Sequence, residues 1–444
     1  MIFANSPIFL QKTSLFKFKS RNFFEASNSL PCTSINPTTM SHNIRKAFPS
    51  LVRLYKGKPL IYFDGPAGTQ VPDSVIAAIS NYYRRSNANS HGQFITTRET
   101  DELLATVRQK AAAFLGAEGA HNISFGQNMT TLNYSLSRAI GRILQAGDEV
   151  LITQLDHEAN RAPWLGLRAQ GVVVREVRLL ADGKLDYNDF RSKINERTRL
   201  VAMGYASNIF GTVNEVERVR KWTYEVGAWL LLDAVHYAPH LSIDVQVMGC
   251  DFLLCSAYKF YGPHVGILYS RTGLLDSLPT DCLRTQEQQA PYSIETGTLN
   301  HAALVGVGAA IDFIAGFGKG DSLRIKLVNA LEFTHKQERH LIRLLFEGLN
   351  ELSGIQIFGP PVDAPLRAPT LAFTLAGKTA AEVCAALGER GICAWDGHFY
   401  AIRTTEVLGL LERGGVTRMG LAIYNTKEEV EFVLGEVAKI AKTR

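Results

Sequence analysis

The feature that most constrains the fold of this 444-residue chain is a series of short apolar runs along its middle. Each run is β-rich and almost wholly apolar, and helical or loop segments separate most of them. Strands buried on both faces have this composition, and their alternation with helices is typical of a mostly parallel sheet. The runs lie at residues 61–63, 123–125, 149–153, 172–177, 200–205, 229–233, 252–255 and 266–269.

The pattern changes after about residue 320, where a long helical segment begins. We predict an α/β fold in which residues 60–320 form a large domain and 321–444 a smaller α+β domain, with residues 41–59 packed nearby. The predicted elements of the smaller domain are helices at 325–352, 380–390 and 427–442 and strands at 355–358, 370–374 and 392–395.

Residues 1–40 differ in composition from the rest of the chain. They are rich in Ser, Phe and Lys and hold four basic residues against one acid, which is +3 of the chain's net +5. We expect this leader to be disordered, and it is either an organellar targeting sequence or not native. In the second case Met40 is the true start and the protein is cytoplasmic. The nearly neutral remainder shows no basic stripe for nucleic acid and no apolar run for a membrane span.

The six cysteines are scattered, without a C-x-x-C pair or a metal-ligand spacing with histidine. We therefore predict no metal site and reduced thiols.

Two candidate catalytic residues follow apolar runs. Lys259 comes directly after the run at 252–255, where desolvation would lower the pKa of its amine and make it a nucleophile. Asp233 ends the run at 229–233, where open α/β sheets place ligand-binding groups. Taken alone, Lys259 also fits a surface loop and Asp233 a helix N-cap.

Two further segments contribute weaker signals. Residues 126–131 join a strand to a helix, so their hydroxyls and amides suit a phosphate, although a threonine there is also a common cap. His157, in the loop after the run at 149–153, could stack on a planar ring or be an ordinary loop histidine. The four signals in this order are much more specific than any one alone.

The chain resembles the class V aminotransferase family of fold-type I pyridoxal-phosphate enzymes, and most closely its cysteine desulfurase branch. The resemblance covers about residues 60–435 and implies a seven-stranded type of sheet, the cofactor pyridoxal 5'-phosphate and a homodimer. The motifs that carry it are YFDGPAGTQVP (62–72), NMTTLN (128–133), DHEANRAPW (156–164), SNIFGTVNEV (207–216), LLDAVHYAPH (231–240), DFLLCSAYKFYGP (251–263), ETGTLN (295–300) and RMGLAIYNT (418–426).

The resemblance also implies roles for individual residues. Lys259 would form the Schiff base and move the α-proton, Asp233 would hold the ring nitrogen protonated, and His157 would stack on the ring. Arg418 would bind the substrate carboxylate. The remaining cofactor contacts would come from Asn208 and His236 at the phenolic oxygen, and from Thr130, Ser256 and the neighbouring subunit's Thr298 at the phosphate.

One position departs from the desulfurase pattern. The branch carries Arg-x-Gly-x-x-Cys-Ala, with the cysteine that accepts sulfur, whereas residues 395–401 read WDGHFYA and place Tyr400 there. A phenol cannot accept sulfur as a thiolate does. We expect Tyr400 and His398 to help shape the substrate pocket and Cys393 to be a core thiol.

Three functions stay open. The first is elimination or related Cα chemistry on a small amino acid, which needs Lys259 and no cysteine. The second is a cysteine desulfurase or selenocysteine lyase that uses another cysteine. The third is a degenerate, non-catalytic paralogue, which the retained Lys259, Asp233, His157 and Arg418 disfavour.

Overall fold

A computed structural model describes residues 44–442, so the predicted leader at 1–40 lies outside the described residues. Near its start β1 (Leu54–Tyr55) pairs with β2 (Lys58–Pro59), and β3 (Ile61–Tyr62) follows. The main sheet has seven strands in the order β4-β10-β9-β8-β7-β5-β6. They are β4 (Ile123–Gly126), β5 (Glu149–Thr153), β6 (Val173–Val177), β7 (Thr198–Gly204), β8 (Trp229–Asp233), β9 (Phe252–Ser256) and β10 (Gly266–Ser270).

The main sheet is mostly parallel, as predicted. β6, β5, β7, β8 and β9 pair in parallel, and β10 runs antiparallel to both of its neighbours, β9 and β4. The run at 61–63 is the exception to the predicted series, because β3 pairs outside this sheet, with β13 (Ile392–Cys393).

Both faces of the main sheet are covered by helices. Successive residues of one strand, such as Leu253 and Leu254, belong to separate buried clusters on the two sides. Within the described residues no helix is both long and apolar enough to cross a membrane. The helices are Asp73–Arg85, Ile95–Leu115, Met129–Gly141, Ala162–Leu165, Tyr187–Lys193, Val216–Val226, Val245–Met248, His301–Ala315, Leu323–Asn350, Ala380–Gly388, Ile402–Val407 and Lys427–Lys442.

A second, four-stranded antiparallel sheet forms the C-terminal part of the chain. Its strands, in spatial order, are β11 (Ile355–Phe358), β12 (Thr370–Leu375), β15 (Val416–Gly420) and β14 (Trp395–Gly397). Leu345, Phe373, Met419 and Val433 bury this sheet against the helices around it. A domain boundary near residue 320 stays a prediction.

The sequence patterns misplaced one element and missed another. The predicted strand at 392–395 is two strands in different sheets. β15 was not predicted, because the buried polar side chains of Thr417 and Arg418 interrupt its apolar run.

We predict that Gly266→Ala lowers the free energy of unfolding by about 2 kcal/mol, because overpacking costs roughly that much. A Cβ at Gly266 would collide with the main chain of Asn128, the residue that caps the helix Met129–Gly141. Urea denaturation measures the change. The matched control is Gly435→Ala, at an exposed helical position with open space around it, which should gain about 0.5–1 kcal/mol. Equal stability of Gly266→Ala and the wild type would contradict the prediction.

Candidate active site

The loops that follow five strands of the main sheet meet at one edge and enclose a pocket. β4, β5, β7, β8 and β9 all end at this edge, where open α/β sheets bind ligands. The empty space between these loops is about 660 Å³, part of which is open to solvent. Seven predicted site residues line it: Thr130, His157, Asn208, Asp233, His236, Ser256 and Lys259.

Lys259 is buried in the turn after β9, with 8% of its surface exposed. Its Nζ donates to the carbonyl oxygens of Pro66 and Ala67, the latter at 3.0 Å. Burial, and next the repulsion from Arg418, lower the pKa of Lys259 to about 7. A large fraction of this amine is therefore unprotonated and nucleophilic near neutral pH.

Asp233 ends β8 at the floor of the pocket and is buried. Its Oδ1 accepts a hydrogen bond from the Val235 amide at 3.0 Å, and Oδ2 accepts none from the described residues. Burial raises the pKa of Asp233 to about 6. This carboxylate is suited to a cationic partner in the pocket, which would stabilise its charged form.

His157 lies in the loop after β5. Its Nδ1 accepts a hydrogen bond from the Ala159 amide at 3.0 Å, which places the proton of the neutral ring on Nε2. Burial, and next the charges of Lys259 and Arg418, lower the pKa of His157 to about 4. The ring is therefore neutral at physiological pH and can stack on a planar ligand without adding a positive charge.

Asp156 fixes this loop, a role that the sequence patterns did not reveal. Its carboxylate accepts hydrogen bonds from the amides of Gly204 at 2.6 Å and Thr153 at 3.0 Å. These amides end β7 and β5, so Asp156 connects the two strands just below His157.

One end of the pocket has the donors of an anion site. The helix Met129–Gly141 begins here, with Thr130 in its first turn and the Asn128 side chain accepting from the Thr131 amide at 2.9 Å. Ser256 Oγ accepts from the Met129 amide at 3.1 Å. The hydroxyls of Thr130 and Ser256 beside a helix N-terminus are donors of the kind that hold a phosphate.

Asn208 and His236 line the pocket from the loops after β7 and β8. Asn208 Nδ2 donates to the Phe399 carbonyl at 2.9 Å, and His236 Nε2 lies 3.0 Å from Thr370 Oγ1. Burial, and then the nearby His240, lower the pKa of His236 well below its usual value, so its ring is neutral. Thr370, on β12, had no sequence signal that linked it to the pocket.

Arg418 lies behind the pocket wall, not among the lining residues, and is fully buried. Its Nη2 is 2.8 Å from Asp64 Oδ1, and its Nη1 donates to the Asn208 carbonyl at 3.1 Å. The Phe399 ring covers the guanidinium at 4.1 Å. Asp64 and Phe399 lie in the segments 62–72 and 395–401, but no local sequence pattern indicates a role for either.

Tyr400 and His398 lie outside the pocket lining. Tyr400 is 66% exposed, its ring centroid is 5.5 Å from that of His157, and its carbonyl accepts from the Glu158 amide at 2.7 Å. His398 Nδ1 accepts from the Tyr400 amide at 3.1 Å. Their part in shaping the substrate pocket stays a prediction.

Thr298 does not line this pocket but a separate cavity, together with Tyr82, Asn89 and His301. Its service to a neighbouring subunit stays a prediction.

The pocket fits pyridoxal 5'-phosphate on the chemistry of its donors. The anion site suits the phosphate, Asp233 suits a cationic ring nitrogen, and the neutral His157 suits the ring face. Lys259 supplies the amine of lowered pKa. Fold and donor set together define an enzyme of the fold-type I pyridoxal-phosphate class.

Comparison with known proteins supports the same assignment. The profile of the family "Aminotransferase class-V" matches residues 61–433. A cysteine desulfurase of Serratia proteamaculans is 32% identical over 90% of this chain and 98% of its own length. A probable cysteine desulfurase of Synechocystis is 31% identical over 89% and 94%.

Solved structures show the same likeness. The apo structure of a cysteine desulfurase from Thermococcus onnurineus matches with a TM-score of 0.81 and 27% identity over 90% of this chain and 98% of its own. A cysteine desulfurase from Escherichia coli matches with a TM-score of 0.79 and 26% identity over 92% and 98%. The chain therefore belongs to the class-V aminotransferase family and is a pyridoxal-phosphate-dependent enzyme of the cysteine desulfurase-like group.

We predict that Lys259 in cofactor-free protein reacts with an acylating reagent with a midpoint near pH 7, instead of the ordinary lysine value of 10.5. Competitive labelling at a series of pH values, read by mass spectrometry, gives the midpoint. In Arg418→Gln the midpoint should rise, because a like charge that disfavours the ammonium form is removed. A wild-type midpoint near 10 would show that the amine is not desolvated.

Proposed function

We propose that this enzyme acts on a small amino acid by elimination or related chemistry at Cα, without a persulfide-forming cysteine. The observation that carries the proposal is that no described cysteine lines the pocket, while Tyr400 stands where the desulfurase pattern has its nucleophile. The groups needed for Cα chemistry nevertheless converge in that pocket.

When bound, pyridoxal phosphate supplies an electron sink that stabilises negative charge at the substrate Cα. Lys259, with its pKa near 7, removes the Cα proton at neutral pH and can return it to a leaving group or to carbon. Asp233 would keep the ring nitrogen protonated, and the neutral imidazole of His157 would stack on the cofactor ring. Thr130 and Ser256 would hold the phosphate, and Asn208 and His236 would lie at the phenolic oxygen.

The enzyme is further proposed to be a homodimer in which Thr298 of a second copy completes the phosphate site. Support comes from the place of Thr298 beside its own cavity, away from the pocket of its own chain. A cytoplasmic location is proposed as well, because all five cysteines of the described part are free thiols, which suits a reducing compartment.

A cysteine desulfurase that uses another thiol is the second candidate, since the relatives bear that name. Two thiols, Cys393 at the end of β13 and Cys384, have pKa values that burial raises and that the charge of Asp64 raises further. Burial raises the pKa of Cys393, and that of Cys384 to about 12. Both groups therefore favour the thiol form, which is a poor nucleophile.

We expect the holoenzyme to convert L-cysteine, or another amino acid with a β leaving group, into pyruvate and ammonia. Elimination releases sulfide directly, whereas desulfuration releases sulfur at the oxidation level of a persulfide, which becomes sulfide only when an added thiol reductant reduces it. With that reductant present both reactions yield sulfide, so the carbon product identifies the reaction. Chromatography with enzymatic pyruvate and alanine assays measures it. Lys259→Ala is the control and should show no turnover with unchanged circular dichroism. Alanine as the main product would favour desulfuration instead.

Cys393→Ser should leave product identity unchanged and the rate within about twofold, because surface or partly buried substitutions away from a site have small effects. Cys282→Ser, at another partly exposed thiol, is the matched control. If Cys393→Ser abolished alanine formation while Cys282→Ser did not, Cys393 would be the sulfur acceptor and the second candidate function would hold.

A further inference from the structure

The Asp64–Arg418 ion pair is the strongest feature near the pocket that the proposed reaction does not use. The two residues are 354 positions apart, and both are buried, with 8% and 2% of their surfaces exposed. Asp64 belongs to the segment 62–72, whose other main-chain groups contact Lys259. One short segment therefore contacts both cationic groups of the site.

This segment is held firmly at both ends. On one side the Phe63 carbonyl accepts from the Gly420 amide at 2.8 Å, next to Arg418 on β15. On the other side the Thr69 amide donates to the Tyr258 carbonyl at 3.0 Å, and Thr69 Oγ1 accepts from the Tyr261 amide at 2.8 Å. Asp64 is thus a fixed counter-charge, not a mobile side chain.

The pair leaves one edge of Arg418 without a partner. Nη2 contacts Asp64, Nη1 donates to the Asn208 carbonyl, and the Phe399 ring covers one face. Nε is buried and has no hydrogen-bond partner in the described part of the chain. Lys259 is the only Lys or Arg among the residues that line the described pocket.

We propose that Asp64 is a positioning and specificity-determining residue: it fixes the Arg418 guanidinium with Nε left for a substrate α-carboxylate and offsets its charge, so that the site selects amino acids with one carboxylate. The inference rests on the carboxylate-binding role that the family resemblance implies for Arg418. With Asp64 in place, Arg418 binds one carboxylate only weakly, and the pocket has no cation available for an anionic side chain. Discrimination against dicarboxylic amino acids follows from this charge balance.

Calorimetric titration of the holoenzyme with propionate and with succinate tests this charge balance. Asp64→Asn keeps an oxygen that can accept from Nη2 but removes the negative charge, so propionate should bind on the order of tenfold more tightly. Succinate should gain more than propionate. Asp64→Glu, which keeps the charge, should bind both ligands as the wild type does.

Asp251→Asn is the matched control, since Asp251 is also buried and lies 2.8 Å from an arginine, Arg271, at the opposite end of β9. It should lower the melting temperature without changing either affinity. A merely structural Asp64 would give weaker binding in Asp64→Asn, and that result, or unchanged binding, overturns the proposal.

Arg418→Gln separates this inference from the proposed function. If Arg418→Gln abolishes propionate binding while Asp64→Asn changes nothing, Arg418 binds the carboxylate and the role of Asp64 is refuted. If propionate binding survives in Arg418→Gln, carboxylate binding by Arg418 is itself wrong. Neither result depends on whether the products are those of elimination.

Discussion

The register of the main sheet is the constraint on which the site depends. Gly204 pairs with Asp233 across β7 and β8, and Ser256 pairs with Gly266 across β9 and β10. Because side chains alternate between the two faces of a strand, a slip of one residue would turn Asp233 away from the pocket. The backbone hydrogen bonds of the sheet therefore place the carboxylate and the lysine turn at one edge before any ligand binds.

Burial then determines how these groups ionise. The same loss of water lowers the pKa of Lys259 and raises that of Asp233, so both move toward their neutral forms. A cationic ring nitrogen next to Asp233 would reverse the second shift but not the first. The pocket without cofactor is thus suited to receive a group that brings its own positive charge, and its lysine is already a usable base.

The parts of the site that could be predicted from the sequence are those with a local signal. Asp233 and Lys259 come at or just after the ends of apolar runs. Because the carboxyl ends of parallel strands lie at one edge of a sheet, such residues are expected to meet there. The predicted bounds of β5 and β8 agree with those in the structure, because each strand contains a continuous apolar run in the sequence. Contacts between distant segments, such as Asp64 with Arg418 or Thr370 with His236, leave no periodicity in the chain. β15 was missed because Thr417 and Arg418 interrupt its apolar run, and the partner of Arg418, Asp64, is brought to it only by folding.

The loop that carries Tyr400 shows why the missing cysteine does not make this segment dispensable. Phe399 and Tyr400 both have left-handed backbone angles, with φ of +53° and +57°, and each costs about 1–2 kcal/mol for a residue with a side chain. Such strain persists only where other contacts determine the conformation. Here Asn208 holds the Phe399 carbonyl and the Glu158 amide holds that of Tyr400, so the loop is tied to two pocket loops. This conformation places the Phe399 ring over the Arg418 guanidinium, a contact that holds whether or not residue 400 takes part in the chemistry.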